Sequence, residues 1–173
     1  MFLERAAAQR FIHGYSLIML EVLGGSSRRY TGNLVPWLAK GRAKLMKKPE
    51  LLQKAKASLE ARSIGPDPDV LLALEGLDVR QWVYLRDTKV HSIFIDPSTD
   101  RAFGVLGLTQ PIRDIIGRSG AVMETGLVRY RGRIVCDGVV SGAVWLGPSY
   151  KKSFGEKFKA LKAEGRFYVK VDA

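Results

Sequence analysis

Apolar side chains recur at helical spacing from the start of the chain: Ala8, Phe11, Ile12, Tyr15, Ile18, Met19 and Val22 fall on one face. This predicts an amphipathic core helix over residues 1 to 23, ended by Gly24-Gly25. A second helix is expected from about Leu34 to Lys48, with Asn33 as its N-cap and Pro36 in its first turn, and a third from about Glu50 to Ser63. Ile64-Gly65-Pro66-Asp67-Pro68 cannot continue a helix and marks a linker, after which residues 69 to 77 read as a short helix.

From Val79 the apolar period shortens towards two. Six β-rich segments follow, at about 79–86, 89–96, 102–108, 121–131, 133–140 and 142–147. Turn signals separate most of them, notably Asp87-Thr88, the run from Asp96 to Asp100, and Arg131-Gly132. A short helix over 109–116 interrupts them, with Thr109 as its cap and Pro111 in its first turn. A stronger helix over 149–164 and a strand over 166–171 close the chain. Short strands with tight connections are an antiparallel signature. The expected class is therefore α+β. A helical part over residues 1–66 precedes an antiparallel β-sheet or small β-barrel over 67–173, with a C-terminal helix and final strand. The two parts form separate domains or one compact unit.

Composition changes this picture little, since 173 residues with 46% hydrophobic side chains suffice for a real core and exclude general disorder. Charge changes it more. Lys and Arg number 28 against 17 Asp and Glu, a formal net charge of +11, which favours an anionic partner. The excess is uneven: residues 1–66 carry 12 basic and 4 acidic side chains, residues 67–125 carry 6 and 9, and residues 126–173 carry 10 and 4. The single Cys136 makes no intramolecular disulfide, which points to a reducing, cytoplasmic setting. The apolar stretch 11–23 after Arg5 and Arg10 has the outline of a signal peptide, but His13, Gly14 and Glu21 interrupt it. It is also too short to span a bilayer, so no transmembrane segment is expected.

Three constellations carry candidate chemistry. In the second helix, Lys40, Lys44, Lys47 and Lys48 fall on one side beside Trp37, and Arg28 and Arg29 precede them. In the hairpin 79–96, alternation sets Arg80, Trp82, Tyr84 and Arg86 on one face. A two-residue Asp87-Thr88 turn would pair Arg86 with Lys89, Tyr84 with His91 and Trp82 with Ile93. Such a basic, aromatic surface stacks bases and neutralises phosphates, unless both sheet faces are covered and the rings belong to a core. The third set comprises two separate anion-binding candidates: Arg129, Arg131 and Arg133 at a hairpin tip, and Ser149, Lys151 and Lys152 in a first helical turn.

Recognised patterns are not completed. A phosphate-binding G-x-x-x-x-G-K-[ST] loop from Gly147 would need glycine where Lys152 stands. The arginine pair and D-x-S-x-x-G of PilZ-type cyclic-dinucleotide receptors fail too: Gly-Val-Val-Ser follows Asp137, and Arg101 stands where glycine should follow Asp96-Pro97-Ser98. Nucleophile-elbow, His-Glu-x-x-His and dinucleotide-binding patterns are missing, only His13 and His91 offer imidazole bases, and one cysteine makes no cysteine-rich zinc site. No metal or cofactor is called for.

The expectation is a non-catalytic basic module binding nucleic acid, as RNA or single strands, mainly through backbone phosphates. One alternative is a small enzyme or binding protein for a phosphorylated metabolite, with His91, Arg129, Arg133 and Lys152 around a pocket. Another is an interaction protein docking an anionic membrane surface or an acidic protein partner. Exposed sheet edges would also admit oligomerisation.

Overall fold

A computed structural model describes residues 1–24 and 32–170. The chain forms two compact units, Arg5–Gly76 and Met1–Glu4 with Leu77–Ala173.

The first unit is helical: α1 (Arg5–Val22), α2 (Val35–Lys47), α3 (Leu51–Ala61) and α4 (Pro68–Glu75). The apolar stripe of α1 is buried as its spacing requires, except for Ile12, which lies exposed. Asn33 Oδ1 accepts the Val35 N–H at 3.0 Å, although the cap position itself is Leu34. Asp67 caps α4 through the Asp69 N–H at 2.9 Å, with Pro68 in the first position, where its missing donor costs nothing. Gly41 lets α2 approach α1 closely: a Cβ there would lie 2.6 Å from the Met19 carbonyl oxygen. Glu21 in the last turn of α1 accepts from Ser58 and Arg62, tying that turn to the end of α3.

The second unit comprises β1 (Asp78–Asp87), β2 (Ser92–Asp96), β3 (Arg101–Val105), α5 (Ile112–Ile116), β4 (Ala121–Tyr130), β5 (Arg133–Cys136), β6 (Ser141–Trp145), α6 (Pro148–Ala163) and β7 (Phe167–Tyr168). Strand order is β5-β4-β1-β2-β3-β7, with β6 beside the first half of β4 and β5 beside its second half. All pairings between neighbours are antiparallel except β3 with β7. The sheet curls until Leu106 meets β5: its N–H donates to the Ile134 carbonyl, and Cys136 N–H donates to the Leu106 carbonyl, both at 2.9 Å. The result is the expected α+β architecture with a small, part-closed barrel.

Both faces of β2, and of β1 from Trp82 to Leu85, are covered, which explains why apolar residues occupy both parities there. Inside the curl Trp82, Tyr84, Phe94 and Met123 pack with Ile112 of α5. Outside it Val83, Leu85, Ile93 and Ile95 lie under Phe158 and Leu161 of α6.

The β1–β2 register differs from the expected one. Tyr84 pairs with Phe94, Val83 with Ile95, Arg86 with Ile93 and Asp87 with Ser92, with a bulge between Tyr84 and Arg86. Asp-Thr does not readily supply the positive φ of a two-residue hairpin turn. A loop from Thr88 to His91 forms instead, in which the Thr88 hydroxyl donates to the His91 carbonyl at 2.8 Å and accepts the His91 N–H at 3.0 Å. The bulge also re-aims Arg86, whose guanidinium lies 6.0 Å from the Phe158 ring, on the α6 side and away from Trp82 and Tyr84. Before α5, Pro111 occupies the cap position itself, and no side chain, Thr109 included, caps the helix.

Candidate functional site

In the helical unit, Lys40, Lys47 and Lys48 are exposed, and Lys40 Nζ lies 4.6 Å from the centroid of half-buried Trp37. Lys44 has a different task. Its Nζ donates to the Val22 carbonyl at 2.7 Å, satisfying the C-terminus of α1, where the helix dipole favours a cation. Arg28 and Arg29 lie outside the described residues.

In the β unit the expected stacking face is not open. Trp82 is 2% exposed and Tyr84 0%, and the Trp82 indole N–H donates to the Thr125 carbonyl at 3.2 Å. Phe103 meets the Trp82 ring edge-on at 5.6 Å. Both rings serve the core, so neither offers a face to an external base. Burial, and then the Asp87 carboxylate, hold the Tyr84 hydroxyl above its ordinary value of 10.0.

The two anion-binding candidates lie at opposite ends of β4. Arg129, Arg131 and Arg133 are exposed at the β4–β5 turn, where Arg131 adopts φ 51° and its guanidinium lies 5.4 Å from the Tyr130 ring. Ser149, Lys151 and Lys152 open α6, just beyond β6, whose Trp145 pairs with Ala121 at the other end of β4. A ten-residue strand separates the sets by roughly 30 Å along its length. They do not form one site. The same separation removes Lys152 from any pocket shared with His91, Arg129 and Arg133. His91 itself is held below its ordinary value of 6.5, by burial first and then by neighbouring positive charge that includes Arg133.

Instead the structure assembles a basic–aromatic surface around β6, whose residues are exposed along most of its length. Trp145 is 41% exposed, and the Arg118 guanidinium lies over its ring, 4.6 Å from the centroid. Lys151 reaches across Gly120, where a Cβ would collide with its side chain. Leu146 N–H donates to the Gly120 carbonyl at 2.9 Å, which locks the end of β6 beside the Arg118 loop. Tyr150, 66% exposed, follows in the first turn of α6. Trp145 and Arg118 escape the sequence reading because only the non-local β4–β6 pairing brings them together, and Tyr150, at a stripe position of the closing helix, lies exposed. The one local hint is an aromatic in a short strand followed at once by a lysine-bearing helix start.

The remaining polar clusters hold the fold. Buried Asp137 accepts from the backbone N–H groups of Gly126 and Val139 and from the Thr125 hydroxyl at 3.0–3.3 Å. Asp96 accepts from Ser98, Thr99 and Arg80 and closes the β2–β3 turn. Among the described residues no group of three or more His, Cys, Asp or Glu is placed to hold a metal ion. No described helix is long and apolar enough to cross a membrane. Compared with protein-family models, characterised proteins and solved structures, the chain has no significant match.

Proposed function

We propose that this protein is a cytoplasmic, non-catalytic nucleic-acid-binding module whose contact surface is β6 with the start of α6. One observation carries the reading: an exposed tryptophan on an outer strand stands under an arginine, and a lysine of the next helix reaches over Gly120, the residue before that tryptophan's strand partner. Cations flanking an accessible ring are the combination that neutralises backbone phosphates while offering a base a flat partner. Arg118, Lys151 and Lys152 take the phosphate role, and Trp145 and Tyr150 the stacking role. The exposed lysines of α2 add sequence-independent attraction.

Fluorescence anisotropy with labelled RNA and DNA oligonucleotides, single- and double-stranded, tests this. Binding should weaken steeply between about 50 and 200 mM salt, as counterion release requires. Lys151→Glu/Lys152→Glu should weaken it by about tenfold or more at low salt. No binding to any of the four ligands at low salt would overturn the proposal.

A further inference from the structure

We infer that the ligand at the β6 surface is a single strand, and that an unpaired base enters by displacing the Arg118 guanidinium from the face of Trp145. This rests on the nucleic-acid reading above and adds which form of nucleic acid is taken and how it docks. The Arg118 guanidinium is itself a flat, delocalised group and lies over the ring, its central carbon 4.6 Å from the centroid, so it covers the face a base would use. A base inside a duplex has both faces against its neighbours and none to give. An unstacked base has one, which is why aromatic platforms select single strands.

The geometry also permits the exchange. β6 pairs with β4 alone among the described residues, which leaves Trp145 approachable from outside the sheet. Arg118 lies in the exposed connection between α5 and β4, and among the described residues no carboxylate pairs with it. Swinging off the ring therefore breaks no ion pair, and the freed guanidinium arrives beside the backbone of the strand whose base replaced it. A base on an aromatic ring contributes about five- to a hundredfold in affinity, against about two- to fivefold for an exposed cation over the same ring. The exchange runs towards the base, and Arg118 gains a phosphate.

The test compares a labelled single strand with a duplex of the same length, on the full chain, at several salt concentrations. The wild-type protein should prefer the single strand by fivefold or more. Trp145→Ala should bring single-strand affinity down to the duplex level with the salt dependence unchanged, and Trp145→Phe should retain most of the preference. Arg118→Ala should keep the preference but lower the salt slope by about one, the signature of one lost phosphate contact. Equal affinity for both forms, or an equal loss on both with Trp145→Ala, would overturn the inference while leaving nucleic-acid binding intact. An unchanged slope with Arg118→Ala would overturn the exchange. Absence of binding to either form would overturn the functional reading itself.

Discussion

Asp137 and His91 show how single side chains set the conditions under which the β unit holds together. Asp137 is buried and spends its carboxylate on two backbone N–H groups and a hydroxyl. Asp137→Ala takes that acceptor from the buried Gly126 and Val139 N–H groups, while the Thr125 hydroxyl keeps the Val139 carbonyl, and should cost about 2–4 kcal/mol in urea denaturation. Asp137→Asn, which keeps one oxygen, should recover part of that. His91 acts through pH. Its folded value lies below 6.5, so on acidification the unfolded chain takes the proton first. The stability due to neutral His91 is thus complete above 6.5 and lost as pH falls from there through the folded value. Asp96 titrates lower. Burial raises its carboxyl, but the hydrogen bonds from Ser98 and Thr99 together with Arg80 outweigh this and hold it below 3.8, so its contribution is lost only beneath that pH. Denaturation at pH about 7.5 and about 5 therefore reads His91 without the contribution of Asp96, and the variant identifies the histidine's share. The wild-type protein should be less stable at the lower pH, and His91→Gln should flatten the difference. An unchanged difference would assign it to other groups.

Among elements, the contact of α1 with α2 depends most on a single position. A Cβ at Gly41 would meet the Met19 carbonyl oxygen, which is backbone and cannot rotate away. Gly41→Val should therefore force the helices apart and cost about 1–3 kcal/mol, against a near-neutral Ala43→Val on the exposed face, as read by thermal melting. The helices themselves were legible because period and caps are local: the start and end of α2 differ from the expected ones by a single residue. The strands were legible for the same reason, as alternation correctly parted Trp82 and Tyr84 from Val83 and Leu85. Which side of β1 faced water was not. Apolar residues on both parities were the sign that neither side did, and the covering of one side by α6 is a contact between segments some seventy residues apart, Val83 with Phe158 for instance. The pairing of β6 with β4 joins positions some twenty residues apart, and the bulge at Leu85 goes with the Thr88–His91 loop that replaces a two-residue turn, so neither the Arg118–Trp145 contact nor the position of Arg86 lay within reach of spacing alone.

For the whole molecule, the question is whether a net charge of +11 acts as a diffuse field or through a place. A diffuse field attracts any polyanion in proportion to total charge, and basic residues are then interchangeable. A site is sensitive to which residues are changed. The β unit supplies the comparison, because Arg129 and Arg133 lie at one end of β4 and Lys151 and Lys152 beyond the other. All four are exposed, so reversing either pair disturbs no core. Arg129→Glu/Arg133→Glu and Lys151→Glu/Lys152→Glu also lower the net charge by the same amount. At roughly 30 Å along the strand, three Debye lengths or more in about 0.1 M salt, each pair is invisible to a ligand held at the other. The lysine pair should therefore weaken single-strand binding by about tenfold or more in anisotropy titrations, and the arginine pair by less than about twofold. Equal losses would mean that the charge acts as a field and that Trp145 is an exposed ring without a ligand. A larger loss from the arginine pair would move the site to the β4–β5 turn, where Arg131 holds a left-handed backbone conformation that side chains rarely adopt.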